Sequence, residues 1–572
     1  MAEEPGTPVP GAATRAPWLW VALAAVYLAA AFLVYRPALD GRFLSDDIPV
    51  LVVNPYVQEL SLENTRAILD PFGAPVAYTL NWSPLHLLAH AVQVPLFGRD
   101  VRGYHAVNVA VHAAVALLLA LLLRRSGVGA AGAAVAGAVF LLHPANVEAV
   151  AMVFQLKTGL STALALAALL AHPRRPALAA LLFVLALLTK INAVFVWPAA
   201  CALAWVRAAR GEPARAGWLA AWAALAVAVA VPELMAGQRG GEHAVGGEAL
   251  GVQVRTILSL VARYAAMAFT ASGLSAFHQP EPVRAWTDPW WLAGLVLVGA
   301  LGARTVWGLR RRREEAAFWI LAAAGFAPVS QVIPFLYPLA DRYLYTILPG
   351  LLGGVWLAAA DLAPALRARL PAPWRRAAAG LSPGARRAAG AALVAAVLGV
   401  LGVRSEARTW VYRTEANLRR DAAAHYPDGL HAHMRRAERA AAAGDVAGVA
   451  AGLRAAYERG YVGFLDLVDG EGSLATLRQR PEVAAVIRDM AGFWTGRADA
   501  LAAPTQIDLY MIGRAQEVRG DPGAARRTLE AALARGGPHD AVLRQHLARL
   551  AGSGAGGDAI PEAGPRPPDP LR

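Results

Sequence analysis

Apolar stretches of roughly 15–20 residues recur from residue 17 to residue 403, and that recurrence constrains the fold more than any other feature. The first, PWLWVALAAVYLAAAFLVY, begins at Pro17. Further runs lie at about 104–123, 127–142, 158–171, 177–189, 193–206, 217–235, 289–309, 316–336, 343–360 and 389–403. Together with 17–35 they predict about eleven transmembrane helices. With 57% hydrophobic and 17% charged residues and a mean hydropathy of +0.40, the 572-residue chain has too little polar surface for a soluble protein. The leading MAEEPGTPVPGAATRA lacks a strong basic flank, and no small-residue cleavage site follows the first run. That run therefore reads as a retained span rather than a signal peptide.

The net charge of +13 sits largely in short loops between apolar runs. These are Arg124–Arg125, HPRRP at 172–176, RAARGEPAR at 207–215, RRRREE at 310–315 and the arginine-rich 361–388 segment. Positive loops stay in the cytoplasm, and all five share that side if the N-terminus is cytoplasmic. The arrangement requires the stretch 253–275, which carries Arg255 and Arg263, to be interfacial or re-entrant rather than spanning. No aromatic–basic module accompanies the charge, which argues against nucleic acid as a partner. A single cysteine, Cys201, excludes intramolecular disulfides and cysteine zinc sites.

Hydropathy collapses after Arg404, and the remainder reads as an external helical domain. RAERAAAAGDVAGVAAGLRAAYERG (436–460) and IGRAQEVRGDPGAARRTLEAALARGGP (512–538) each show a helix, a Gly-Asp turn and a second helix. Ala437, Gly444, Asp445, Leu453 and Ala456 occupy the relative places of Gly513, Gly520, Asp521, Leu529 and Ala532, as in tetratricopeptide units. An alanine-rich bundle without repeat geometry is the other reading. The predicted organisation is an all-α polytopic membrane protein. It has a cytoplasmic tail at 1–16, a transmembrane domain at 17–403 with a first outer loop at 36–82, a tetratricopeptide-like domain at 404–555 and a disordered tail at 556–572.

On this topology the unusual polar residues fall on one side. Asp46 and Asp47 follow the first span, and His143 and Glu148 end the third. Of the 54 basic residues only Lys157 and Lys190 are lysines, and both stand at outer ends of spans. Either snorkelling or the binding of an anion by compact ammonium groups accounts for them. Asp341, Arg342 and Tyr343 mark the next outer boundary, as a phosphate clamp or as an interfacial charge pair. Tyr104, Asn108 and His112 share one helical face, suited to structural hydrogen bonds or to substrate. A carboxylate of the doublet can serve as general base for an acceptor hydroxyl, since a like-charged neighbour raises its pKa, while cations stabilise a departing phosphate. Two other readings of SDD are a helix N-cap with an acidic first turn and a site for a divalent cation (Mg or Mn); no cofactor is certain.

The segments FLSDDIPVLVVNPYV, NWSPLHLLAHAVQVPLFGRDVRGYHAVNVAVHA, HPANVEAVAMVFQLKTGLS, TKINAVFVWP and ADRYLYTILPG occur in the order seen in the tetratricopeptide-containing transmembrane O-mannosyltransferase family and its bacterial relatives. The chain resembles that family over most of 36–350. The resemblance implies a GT-C glycosyltransferase fold in the inner membrane, with the C-terminal domain periplasmic. It implies a polyprenyl-phosphate-sugar donor drawn from the membrane lipid and a protein or glycan acceptor. Asp46 and Asp47 match the catalytic acidic motif, and His143, Glu148, Lys190, Asp341, Arg342 and Tyr343 match donor-contacting positions. Ser83 departs from the family pattern where a basic residue is expected, and Asn192 where an acidic one is. Two further function classes compete: a non-catalytic scaffold recruiting envelope partners, and a lipid-linked sugar transporter. The transporter calls for charged or broken helices near the bilayer midplane, whereas the ionisable residues here gather at one face.

Overall fold

The computed structural model describes residues 17–240, 248–332, 338–369, 371–372, 380, 382–470, 472–498, 501 and 504–552. The predicted tails at 1–16 and 556–572 lie outside the described residues. In chain order the helices used below are α1 (Trp18–Val34), α2 (Leu62–Leu69), α3 (Pro84–Phe97), α4 (Val101–Arg125), α5 (Ala130–Leu141), α6 (Val147–Ala151), α7 (Leu156–Ala171), α8 (Pro176–Thr189) and α9 (Val196–Ala208). There follow α10 (Ala216–Gly240), α11 (Leu250–Thr270), α12 (Pro289–Arg310), α13 (Glu315–Phe326), α14 (Leu344–Arg369) and α15 (Pro383–Thr409). The C-terminal part holds α16 (Glu415–His425), α17 (Leu430–Ala442), α18 (Val446–Glu458), α19 (Pro481–Arg497), α20 (Gln506–Val518), α21 (Pro522–Arg535) and α22 (Asp540–Gly552). No strand occurs among the described residues.

Each of the eleven predicted spans holds a helix among the described residues, although 333–336 of the span at 316–336 lie outside them, and not all of the helices are long enough to cross. Among the described residues seven helices meet the length and apolarity of a span: Val101–Arg125, Val153–Ala171, Ile191–Ala208, Ala216–Ala236, Pro289–Arg310, Asp341–Ala365 and Pro383–Arg413. An eighth forms if Ala130–Leu141 and Pro144–Ala151, bent by 51° at His143, count as one. The other predicted spans are the shorter helices Trp18–Val34, Pro176–Thr189 and Glu315–Val329. The reason is local. Pro176 opens α8 and Lys190 ends it, and its 14 residues reach only ~21 Å against a hydrocarbon core of about 30 Å.

The helices pack closely where side chains are small. A Cβ on Gly325 of α13 would lie 2.7 Å from the Thr346 carbonyl of α14, and Gly350, Gly353 and Gly354 of α14 meet Ala322, Phe318 and Trp319 in turn. Without a hydrophobic drive between helices in lipid, such close backbone approach supplies the packing.

Two poles result. At one, Arg207 pairs with Glu314 at 2.8 Å and donates to Ser126 at 3.3 Å, Arg210 reaches Glu314 at 2.8 Å, and Arg312 donates to the Trp205 carbonyl. Arg304 joins Glu315 at 2.7 Å and Asp361 at 2.8 Å. The loops after Arg124–Arg125, at 207–215 and at 310–315 thus meet at a single end, where Asp361 opens the 361–388 segment, of which 370, 373–379 and 381 lie outside the described residues. The opposite end, here the loop pole, gathers 41–58, 143–158, 190, 272–281 and 338–343. Helix α11 lies there as one unbroken helix. Its Gln253 donates to the Gln331 carbonyl at 3.0 Å, and at its other end the Ala268 carbonyl bonds His143 at 3.0 Å. Both ends therefore meet the same pole, and Arg255 and Arg263 are stacked on Trp286 and Trp290. Two ends at one pole are what the charge pattern requires of a stretch that is interfacial or re-entrant rather than spanning.

The C-terminal helices dock on this pole through residues 276–281. Asp421 of α16 accepts from the Ala276 amide at 2.8 Å, Tyr426 bonds His278 at 2.9 Å, and Gln279 accepts from the Leu430 amide at 2.9 Å. The α17–α18 and α20–α21 pairs are helical hairpins of one design. Gly444 and Gly520 turn at φ +73° and +84°, and Asp445 and Asp521 cap the following helices at 2.9 and 2.8 Å.

Candidate functional site

The segment VAMVFQLKT (150–158) is the hub of the loop pole. It leaves α6 through an extended Met152, makes a short 3₁₀ turn over Val153–Gln155 and enters α7. Such a turn exposes backbone groups that a buried site must satisfy. Asn108 of α4 supplies donors: its side-chain amide bonds the carbonyls of Val150, Met152 and Val153 at 3.3, 2.9 and 3.3 Å. Asp47 supplies the acceptor. One carboxylate oxygen takes the Phe154 amide at 2.7 Å, and the other takes the Leu44 amide at 2.8 Å. The first loop is thereby tied to the turn that carries Lys157.

The two aspartates part company. Asp47 is fully buried, whereas Asp46 is exposed. The reversal comes from Ser45, held at φ +48°, and the wide π-turn of Ile48–Val52 that follows. Burial pushes Asp47 up to about 7; the amides of Leu44 and Phe154 pull it back, and the nearby Asp46 charge adds to the rise. A group whose folded value lies above its unfolded one gives stability that is full at low pH and lost as pH rises through the folded value. The thermal midpoint of the native chain, compared with that of Asp47→Asn, should therefore fall between pH 5 and pH 8. A difference that stays constant across that range would show that Asp47 does not titrate there. As for a divalent ion at this doublet, Asp47 already serves two amides, and no group of three or more His, Cys, Asp or Glu able to hold a metal occurs among the described residues.

The cations cluster beyond the same turn. Lys157 lies over the Phe154 ring, 5.3 Å from its centroid. Lys190, at the α8 terminus, donates to Thr158 at 2.9 Å, and Thr158 in turn donates to Gln155 at 2.5 Å. Burial, reinforced by the charges of Lys157 and Arg342 and opposed by Glu148, pushes Lys190 down to about 7. Glu148 binds Arg342 twice, through the guanidinium and through the backbone amide at 2.8 Å. The Arg342 guanidinium also sits 5.0 Å from the centre of the Tyr343 ring.

Several predicted residues turn out to hold other protein groups. His143 accepts from the Ala145 amide at 3.2 Å and bonds the Ala268 carbonyl, so both ring nitrogens are engaged. Asp341 is buried among His278 at 2.7 Å, Arg408 at 3.0 Å and the Ser275 amide at 3.3 Å. Arg408 continues to Asp421 at 2.9 Å, which links the last long helix to the C-terminal domain. In the α4 stripe, His112 meets Tyr345 at 2.9 Å and the Leu141 carbonyl at 3.0 Å, while Tyr104 donates to the Gly98 carbonyl at 2.8 Å.

Other members of these networks lie outside the sequence motifs. His278, Arg408 and Asp421 belong to the Asp341 network but carry no local motif. His86 and His90, by contrast, have a legible signal: i, i+4 spacing on one helical face.

A cavity of about 380 Å³ has neither the doublet nor the lysines in its lining. It lies between the first loop, at Pro49, Phe72 and Tyr78, and the C-terminal hairpin, at Gln506, Arg535 and His539.

Comparison with known proteins gives one partial likeness. Over 126 residues the chain is 32% identical to the Protein O-mannosyl-transferase Tmtc1 of Drosophila melanogaster. The likeness covers 22% of this chain and 15% of that protein. No family model matches the chain, and no solved structure does.

Proposed function

We propose that the protein is a membrane glycosyltransferase that moves a sugar from a polyprenyl-phosphate-linked donor to an acceptor hydroxyl at the loop pole. The observation that carries this reading is the Asp47–Phe154 hydrogen bond, which joins the acidic loop to the turn bearing Lys157. It brings a carboxylate and a group of cations to one end of a bundle of apolar helices. The partial likeness to an O-mannosyl-transferase supports the same reaction class. In this reading the fold is of GT-C type, the loop pole faces the periplasm, and the C-terminal hairpins are degenerate tetratricopeptide units.

The exposed Asp46 takes the proton from the acceptor hydroxyl as its oxygen forms a bond to the anomeric carbon. The bond from that carbon to the phosphate oxygen breaks, and the polyprenyl phosphate leaves with the electron pair. Lys157, Lys190 and Arg342 offset the charge that grows on the departing phosphate, in a setting where burial strengthens each interaction. Asp47 does not react; it fixes Asp46 relative to the lysines. The acceptor approaches through the cavity beside Pro49, under the C-terminal hairpin.

The test is transfer by the purified chain in detergent, with polyprenyl-phosphate mannose, glucose and galactose as donors and envelope extract as acceptor. Labelled sugar should appear in the extract with one of them. Absence of transfer from all three, together with retention of a partner by the C-terminal helices, would favour the scaffold instead.

A further inference from the structure

The turn ahead of helix α8, at the end of the bundle opposite the loop pole, carries more positive charge than the chain itself neutralises. Arg124, Arg174, Arg175 and Arg215 are exposed, and none of them has an ion-pair partner among the described residues. Arg207, Arg210, Arg304 and Arg313, at the same end, are paired with Glu314 or Asp361.

Three elements bring the cations of this turn together. Arg125, at the end of α4, donates to the Leu170 carbonyl of α7 at 2.5 Å and stands within reach of the charges of Arg207 and Arg174. His172 follows α7 and is buried. Burial first, then the charges of Arg215, Arg125 and Arg207, lower it from the ordinary histidine value, which sets all three guanidinium groups around one ring. Glu212 edges the same shallow groove as His172 and Arg207 and is exposed. One exposed carboxylate against four exposed guanidinium groups leaves the patch cationic.

The patch also lies where lipid headgroups are drawn in. With its 14 residues, α8 falls ~9 Å short of a hydrocarbon core of about 30 Å. A helix that short thins the bilayer beside it, so phosphates descend towards its ends. Leu178 and Leu181, both exposed, present its first turns to acyl chains. Trp218, also exposed, follows Arg215 by three residues, and tryptophan is enriched at headgroup level. A guanidinium fork matches the oxygens of a phosphate. In a zwitterionic lipid a tethered cation already offsets the phosphate charge; in phosphatidylglycerol none does.

We propose that Arg125, Arg174, Arg175 and Arg215 form a site for the phosphate of an anionic phospholipid, held against the start of α8. The site is separate from the loop pole and does not depend on the transferase reading. A basic pocket between membrane helices is a fitting receptor for such a headgroup.

The test counts bound lipid by native mass spectrometry on the full chain in detergent, titrated with phosphatidylglycerol or phosphatidylcholine. The native chain should take one phosphatidylglycerol about tenfold more tightly than phosphatidylcholine. Arg174→Gln/Arg215→Gln should remove that preference. Arg310→Gln/Arg311→Gln, which takes two exposed arginines of the same end from α12, should keep it. Arg174→Lys/Arg215→Lys retains the charge without the fork and should keep part of it. Equal binding of the two lipids by the native chain, or full preference in a folded Arg174→Gln/Arg215→Gln, overturns the proposal. So does equal loss in both glutamine pairs, since the net charge of that end, not a site, would then attract the lipid. Displacement of the lipid by inorganic phosphate at equal concentration would make this a site for the free ion, and overturns it too.

Discussion

Asp46→Asn should lower sugar transfer about 100-fold to 10,000-fold, the range for loss of a general base, and leave the thermal midpoint of the protein where it was. The reason is the division of labour within the doublet. Asp46 is exposed, so its substitution removes a charge that water can replace. Asp47→Asn acts differently. The amides of Leu44 and Phe154 each need an acceptor oxygen, and an amide side chain offers only one. The lost partner should cost about 1–3 kcal/mol of stability. Transfer should fall as well, because the first loop loosens from the lysine turn. Transfer and melting measured together on both variants separate the roles. Near-native transfer by Asp46→Asn would remove the base from the scheme.

The second large effect concerns the joint between the bundle and the C-terminal domain. Arg408 is almost buried and bridges Asp341 at 3.0 Å and Asp421 at 2.9 Å. Arg408→Ala leaves the buried Asp341 and the partly buried Asp421 short of their shared cation, and breaking a buried pair in this way typically costs about 3–5 kcal/mol. His278 stays with Asp341 and the Ala276 amide with Asp421, so the bundle itself should remain folded. The expected result is faster proteolytic cleavage between α15 and α17 and a lower thermal midpoint, both partly restored by Arg408→Lys. Cleavage at the native rate in Arg408→Ala would mean that the remaining contacts, at Ala276, His278, Gln279 and Glu281, hold the domain without Arg408.

Much of this arrangement is legible in the chain. Apolar runs locate the helices, and the basic loops sort them into two ends before any packing is known. The hairpin turns are equally plain, because Gly444 and Gly520 adopt a backbone conformation that favours glycine and an aspartate after each caps the next helix. Span length is less so. The short α8 looks like any other Ala- and Leu-rich run until Pro176 and Lys190 are seen to bound it. The site divides in the same way. Polar and charged residues at the outer ends of apolar runs point to Asp46, Lys157, Lys190 and Arg342, but the same position also selects His143 and Asp341, which bind other protein groups.

What the sequence determines by itself is where the chain is apolar, where it turns and which ends carry charge, since these follow from composition within a few turns of helix. Which carboxylate of an adjacent pair is buried is decided elsewhere. Asp47 is drawn inward by the amide of Phe154, 107 positions away, and Asp341 by Arg408, 67 positions away. A hydrogen-bond partner at that distance leaves no periodic trace, because burial of a charge depends on what the folded chain brings beside it.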